Sequence, residues 1–290
     1  MQRKPPGNDD PWRNARIKPS VPRSEPPQTE RAARAPMPGE SSKPPQRRGE
    51  EMRVYGRSAC LAVFAKRPGD VRKIYLSETR IAEFKPVLAW CVKQRIGYRV
   101  VENDDLDRLT ESQHHEGVCF EVRKSPTLPL RELLQRIPRD APALLIWLDG
   151  VGNPHNVGAL LRSAANFGAR GAILPVGAPA LSGAALRVAE GGAEAVPLAQ
   201  ARAGEDVLES LHDAGFAVAA TVPRAGWDLY KNTLPDRLAL ILGAEGEGMS
   251  TNLIQHADLR LTIPGSGAVE SLNVSASAAV LFGEFWRQHA

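Results

Sequence analysis

The chain has 290 residues, 42% of them hydrophobic and 24% charged, which is too long for a disulfide-stapled miniprotein and too apolar for a wholly disordered chain. Its net charge of +4 is unevenly spread: residues 1–50 carry 11 Lys/Arg against 6 Asp/Glu, residues 51–140 carry 17 against 13, and residues 141–290 carry 9 against 14. A basic first half points to a polyanion partner, the plainer alternative being a solvated surface with a chance imbalance.

Residues 1–50 hold eleven of the 24 prolines, with few large aliphatic residues between them. Such a stretch buries too little apolar area to offset the entropy of ordering, so it is expected to be a disordered basic arm. Residues 51–124 read as a small α/β unit, ordered from near Val54. Its predicted elements are a helix at Ser58 to Ala65, a strand at Lys73 to Leu76, a helix at Phe84 to Gln94, and strands at Gly97 to Val101 and Gly117 to Val122. Residues 125–142 contain four prolines around the amphipathic piece LRELLQRI, which predicts a linker carrying one helix.

From Ala143 to the C-terminus, apolar runs alternate with helical stretches. The predicted strands are 143–149, 171–175, 195–199, 217–222, 238–243 and 259–264. Continuous apolar strands separated by helices predict a parallel sheet covered on both faces, in a doubly wound α/β domain over 143–290. The predicted final helix, Ser271 to Gln288, is apolar on two sides. Val274, Ala278, Leu281 and Phe285 make one stripe; Leu272, Ala276, Ala279 and Trp286 make another. Burial on both sides calls for the domain's own sheet and a second subunit, or else a central place within one chain.

Cys60, Cys91 and Cys119 are odd in number and form no CxxC pair, which opposes a disulfide framework or a zinc site and fits a reducing cytoplasm. Near Met1 there is no apolar leader core, and no window reaches ~18 consecutive apolar residues, so neither secretion nor a membrane span is expected.

Ligands of open α/β sheets bind outside the carboxyl ends of the strands, so the loops after strands are the candidate site. Three stand out: Asp149 to Gly158, Gly243 to Gly248, and Ile263 to Gly267 leading into Ser271-Leu272-Asn273. Their glycines allow close backbone approach to a ligand. A dinucleotide fits poorly, because the first strand is not followed by GxGxxG and the late GAEGEG places two carboxylates where a pyrophosphate would sit. No P-loop lysine motif is present. His155 is a lone loop histidine without a paired ligand, Asn153 and Asn156 suit turn and cap geometry, and Ser271 lies outside any GxSxG elbow and suits a helix cap. Arg162, within the helix that starts near Asn156, is placed to offer a guanidinium to a phosphate or ribose.

In combination, Asn153-Pro154-His155-Asn156-Val157-Gly158 running on to Arg162 and Gly168, Leu242 to Met249, and Ile263-Pro264 with Ser271-Leu272-Asn273-Val274-Ser275 resemble the three motifs of the SpoU (TrmH) family of RNA ribose 2′-O-methyltransferases, in the SPOUT superfamily. Upstream, Val54-Tyr55-Gly56-Arg57-Ser58 and His115-Glu116-Gly117-Val118 resemble the L30e-like substrate-binding domain of rRNA-modifying members, with Glu116 where that pattern has glutamine.

The resemblance implies a C-terminal trefoil knot in the α/β domain and a homodimer formed through the knotted region. It implies S-adenosylmethionine as cofactor, held by backbone groups of Leu242, Gly243, Ile263 and Leu272, with Glu245 supporting the second loop. Catalysis would rest on Arg162, Asn156 and Asn273, with Ser271 of the third motif either catalytic or a cap. In-line methyl transfer needs alignment and removal of one proton, and no metal. Because guanidinium stays protonated, gripping the target phosphate and stabilising an emerging alkoxide is the easier task for Arg162. The implied partner is structured RNA, rRNA favoured over tRNA because of the L30e-like unit, in the cytoplasm. Two other readings are an RNA-binding protein without turnover and a nicotinamide-dependent oxidoreductase.

Overall fold

The computed structural model describes residues 51–244 and 248–290. The expected basic arm at residues 1–50 and Glu245 lie outside the described residues.

The first lobe runs β1 (Glu51–Tyr55), α1 (Arg57–Lys66), β2 (Val71–Leu76), α2 (Ile81–Gln94), β3 (Gly97–Val100), α3 (Asn103–Thr110) and β4 (Val118–Arg123). Its sheet has the order β1-β4-β2-β3, with β4 antiparallel to both neighbours and β2 parallel to β3. Val54, Cys60, Ile74, Leu76, Phe84 and Phe120 are fully buried between sheet and helices, so this lobe has a core of its own. The five expected elements hold to within three residues at each boundary, whereas β1 and α3 are not among them.

The second lobe begins earlier than the apolar pattern implied. Residues 125–142 do carry the expected helix, α4 (Leu130–Gln135), but Leu128–Pro129 also form a strand, β5, at one edge of the large sheet. Leu130, Leu133 and Ile137 are buried in the core, so this stretch belongs to the lobe. Then follow β6 (Ala143–Asp149), α5 (Pro154–Asn166), β7 (Gly171–Leu174), α6 (Gly183–Ala189), α7 (Gly192–Ala195), β8 (Leu198–Gln200), α8 (Val207–Asp213) and β9 (Ala217–Thr221). The chain closes with β10 (Trp227–Asp228), β11 (Arg237–Gly243), α9 (Thr251–His256), β12 (Leu259–Thr262) and α10 (Val274–His289).

The eight strands pair in the order β10-β12-β9-β11-β6-β7-β8-β5, every pair parallel, which is the predicted parallel α/β sheet. β6 sits at its centre and shows why both faces are covered. Leu144, Ile146 and Leu148 enter the core under α5, α6 and α10, while Leu145 and Trp147 enter the opposite core under α4 and α8.

Two boundaries correct the sequence expectation. The strand expected over 195–199 starts at Leu198, because Gly192–Ala195 form a helical turn and the residue before Pro197 cannot stay helical. The final helix starts at Val274, not Ser271: the Asn273 side chain accepts the backbone N–H groups of Ser275 (2.9 Å) and Ala276 (3.3 Å), so Asn273 is the cap and the capping reading of Ser271 fails. Of the two stripes on that helix, Ala278, Leu281 and Phe285 are buried, whereas Ala276 and Trp286 are exposed.

Candidate active site

The three glycine-bearing loops emerge at the carboxyl ends of β6, β11 and β12. β6 and β11 are neighbours, with Asp149 in register with Gly243, so the first two loops start side by side. The Asp149 carboxylate accepts the backbone N–H of Ser250 at 3.1 Å, tying the end of β6 to the far side of the second loop. The two ends of that loop meet: a Cβ on Gly243 would lie 2.6 Å from the backbone nitrogen of Met249, and Gly248 N–H donates to the Ala244 carbonyl at 3.0 Å. Glu245 falls between these two hydrogen-bonded residues, outside the described part.

The first and third loops also meet. Asn153 caps α5 by accepting the N–H of His155 at 2.9 Å, and Pro154 occupies the first helical position, where its missing N–H costs nothing. Asn156, one turn in, is buried, and its Oδ1 accepts the Asn273 Nδ2–H at 3.1 Å. Two residues 117 positions apart are thereby joined above the sheet.

The four expected cofactor-binding positions divide by environment. Leu242 is buried in the core, so only its backbone can serve a ligand. Gly243 and Ile263 are half-buried at the strand ends, and Leu272 is exposed, as are its neighbours Val269 and Ser271.

Arg162 is not brought onto the asparagine pair. Six residues past Asn156 on α5, it lies about 9 Å further along the axis and on a different face. There its Nη1 donates to Glu190 Oε1 at 2.8 Å, beside a cleft of about 610 Å³ between α5, the 189–192 turn and Ala62 of the first lobe. Sequence reasoning singled out neither Glu190 nor the Asp149 tether; the Gly191-Gly192 pair that brings Glu190 to α5 was the available signal.

Other candidates are structural. His115 is buried; its Nδ1 accepts the Gly117 N–H at 2.9 Å, so Nε2 carries the proton and donates to Asp107 at 3.0 Å. Burial pushes the Cys119 thiol up to about 12 and the Cys60 thiol well above its usual value, which leaves no reactive thiolate there. Among the described residues, no group of three or more His, Cys, Asp or Glu side chains is placed to hold a metal, and no helix is long and apolar enough to cross a membrane.

Most of the chain is similar to known proteins. Residues 143–283 match the model of the SpoU rRNA Methylase family, and residues 53–128 match the model described as RNA 2′-O ribose methyltransferase substrate binding. The chain is 35% identical to an uncharacterized tRNA/rRNA methyltransferase of Escherichia coli, over 97% of this chain and 81% of the relative. The chain belongs to the SpoU methylase family.

Another relative of this SpoU-family chain is the 23S rRNA (guanosine-2′-O-)-methyltransferase RlmB of Pseudomonas putida, 36% identical over 81% of this chain and 96% of the relative. Among solved structures, the SpoU methyltransferase AviRb of Streptomyces viridochromogenes in complex with AdoMet shares the fold, with a TM-score of 0.68 at 24% identity over 83% of this chain and 91% of that one. The SpoU match over 143–283 covers both asparagines, Arg162 and Glu190.

Proposed function

We propose that this SpoU-family chain transfers the methyl group of S-adenosylmethionine to a ribose 2′-hydroxyl of structured RNA, ribosomal RNA in preference to tRNA. The Asn156–Asn273 hydrogen bond carries this reading, because it joins the first and third motif loops at the strand ends where an α/β ligand sits. The donor set suits the cofactor. In sequence, positions 242–249 and 263–273 contain no Lys or Arg but three Glu, a neutral-to-acidic composition that suits a sulfonium better than a pyrophosphate. Backbone groups of Leu242, Gly243, Ile263 and Leu272 would hold it, with Glu245 supporting the second loop.

When bound, S-adenosylmethionine would supply an electrophilic methyl group to the ribose 2′-oxygen, and the hydroxyl proton would pass to solvent water. This chain's task is alignment. Asn156 and Asn273, joined by their hydrogen bond, would orient polar groups at the reacting centre, with the exposed Ser271 two positions before Asn273 as a further candidate. Arg162, on another face of α5 beside Glu190, would grip a phosphate of the bound RNA and so align the substrate, since a guanidinium keeps its proton.

Residues 53–128 are read as choosing the RNA, which the description of their matching model supports. Exposed Val269 and Leu272 just before α10 and exposed Trp286 near its end support a second copy docking against α10. The seating of β12 between β10 and β9, both earlier in the chain, supports the trefoil knot. With RNA as substrate, the place of action is the cytoplasm. The test is methyl transfer from labelled S-adenosylmethionine to unmodified rRNA and tRNA transcripts offered separately. Labelling of rRNA is expected; labelling of tRNA alone would overturn the substrate preference, and labelling of neither would overturn the reading.

A further inference from the structure

The cleft beside Arg162 has an unusual charge arrangement. Of the residues that line it, only Arg162 and Glu190 are ionisable, and they neutralise each other through the 2.8 Å contact; the other polar side chains are Ser163 and Asn166. Both partners are half exposed, at 59% and 45%, so the pair is worth little and exchanges readily with another anion.

Glu190 is nonetheless held in place with care. Its backbone is left-handed, with φ of 45°, a conformation that costs a side-chain-bearing residue about 1 kcal/mol and that glycine would adopt freely. Glycines do follow it, and they fix the turn. A Cβ on Gly191 would meet Ala62 of α1 at 2.9 Å, and one on Gly192 would meet the Leu161 carbonyl at 2.6 Å and the Arg162 Cα at 2.9 Å. The turn is thus wedged between α1 and α5, hard against the backbone of the residue that Glu190 holds. Two residues after Gly192, Glu194 accepts two hydrogen bonds from Arg67 of the first lobe, at 2.9 and 2.8 Å, anchoring the segment from the other side.

We infer that Glu190 is a positioning residue for Arg162: its carboxylate stands in for an RNA phosphate, holding the guanidinium at the cleft mouth until the substrate phosphate displaces it. This rests on the proposed role of Arg162 toward RNA. The exchange is balanced in charge, because one anion replaces another on a single cation, and the bidentate geometry open to a phosphate makes the incoming partner the stronger.

The test is a double-mutant cycle on the full chain, with an unmodified large-subunit rRNA transcript as probe and its Kd measured over a range of salt. Glu190→Gln is expected to tighten RNA binding two- to five-fold in the wild-type background and to change it by less than 1.5-fold in an Arg162→Ala background. Glu190→Asp, one methylene shorter with the charge kept, should bind close to wild type. Equal tightening in both backgrounds, or none in the wild-type background, would overturn the inference, because Glu190 would then be only a local negative charge or a turn residue. Should Arg162→Ala itself leave both RNA affinity and its salt slope unchanged, the failure lies with the role of Arg162 and not with Glu190 alone.

Discussion

Glu190 and Glu194 stand four positions apart on one segment, and each is paired with an arginine from a different neighbour. The Arg67–Glu194 pair is double, and its side chains are only 14% and 11% exposed; the Arg162–Glu190 pair is single and open to solvent. Burial opposes the Arg67 charge, but hydrogen bonds and attraction from Glu194 outweigh it and raise its pKa. Identical chemistry thus gives a lock between the lobes in one place and an exchangeable contact in the other. Desolvation decides which, because water screens the second pair and not the first.

The largest effect expected from breaking this contrast is on activity. Arg162→Ala should lower methyl transfer about 10²-fold, the cost of misaligning the substrate, while S-adenosylmethionine affinity by calorimetry stays within about two-fold. An equal loss of both would assign Arg162 to the cofactor. Next comes stability. Arg67→Met leaves Glu194 buried without its partner and should cost about 3 kcal/mol, a fall of roughly 6–12 °C in Tm by calorimetry, whereas Arg162→Ala should change Tm by no more than about 2 °C. If the two variants melted alike, the distinction between lock and exchangeable contact would be lost.

A third variant sharpens the link between the pairs. Gly192→Ala forces a Cβ against the Leu161 carbonyl and should cost about 1–3 kcal/mol by overpacking, while also shifting Glu190 relative to Arg162. Reduced RNA affinity beyond what unfolding explains would show that shift. The smallest effect concerns acid. In α10, hydrogen bonds from Arg287 and then Gln288 hold the buried Glu284 carboxyl down at about 2. A carboxylate whose folded pKa lies below its unfolded value contributes stability that is complete above about pH 4.5 and is lost as pH falls toward 2. Thermal melts from pH 6 to pH 2.5 should therefore show a steeper acid-side fall for wild type than for Glu284→Gln. Parallel curves would remove Glu284 from the acid response.

Much of this was legible in the sequence. Long apolar strands announced the parallel sheet, since β6 and β11 are buried on both faces and carry no polar alternation. The two-residue strands β5 and β10 are too short to show any period, and Pro197 moved the start of β8 in a way that apolar content alone does not reveal. At the site, both asparagines stood out by motif, but their contact spans 117 positions and exists only because β6 and β12 end on the same side of the sheet. Glu190 escaped notice for a related reason. Its importance comes from the close approach of the Gly191-Gly192 turn to α5, which no local pattern encodes. Ser271 was the misleading residue: a serine before an apolar helix invites the capping assignment, yet Asn273 is nearer the first helical turn and takes it.

Nucleoside analysis tests the central claim most directly. RNA treated with the full chain and labelled S-adenosylmethionine is digested to nucleosides, and the labelled product is identified by chromatography, with Arg162→Ala run in parallel. The central claim predicts label in a 2′-O-methylated nucleoside with the wild-type chain and about a hundred-fold less with the variant, in line with losing the group that aligns the substrate phosphate. Label confined to a methylated base, or equal label from both proteins, would contradict it.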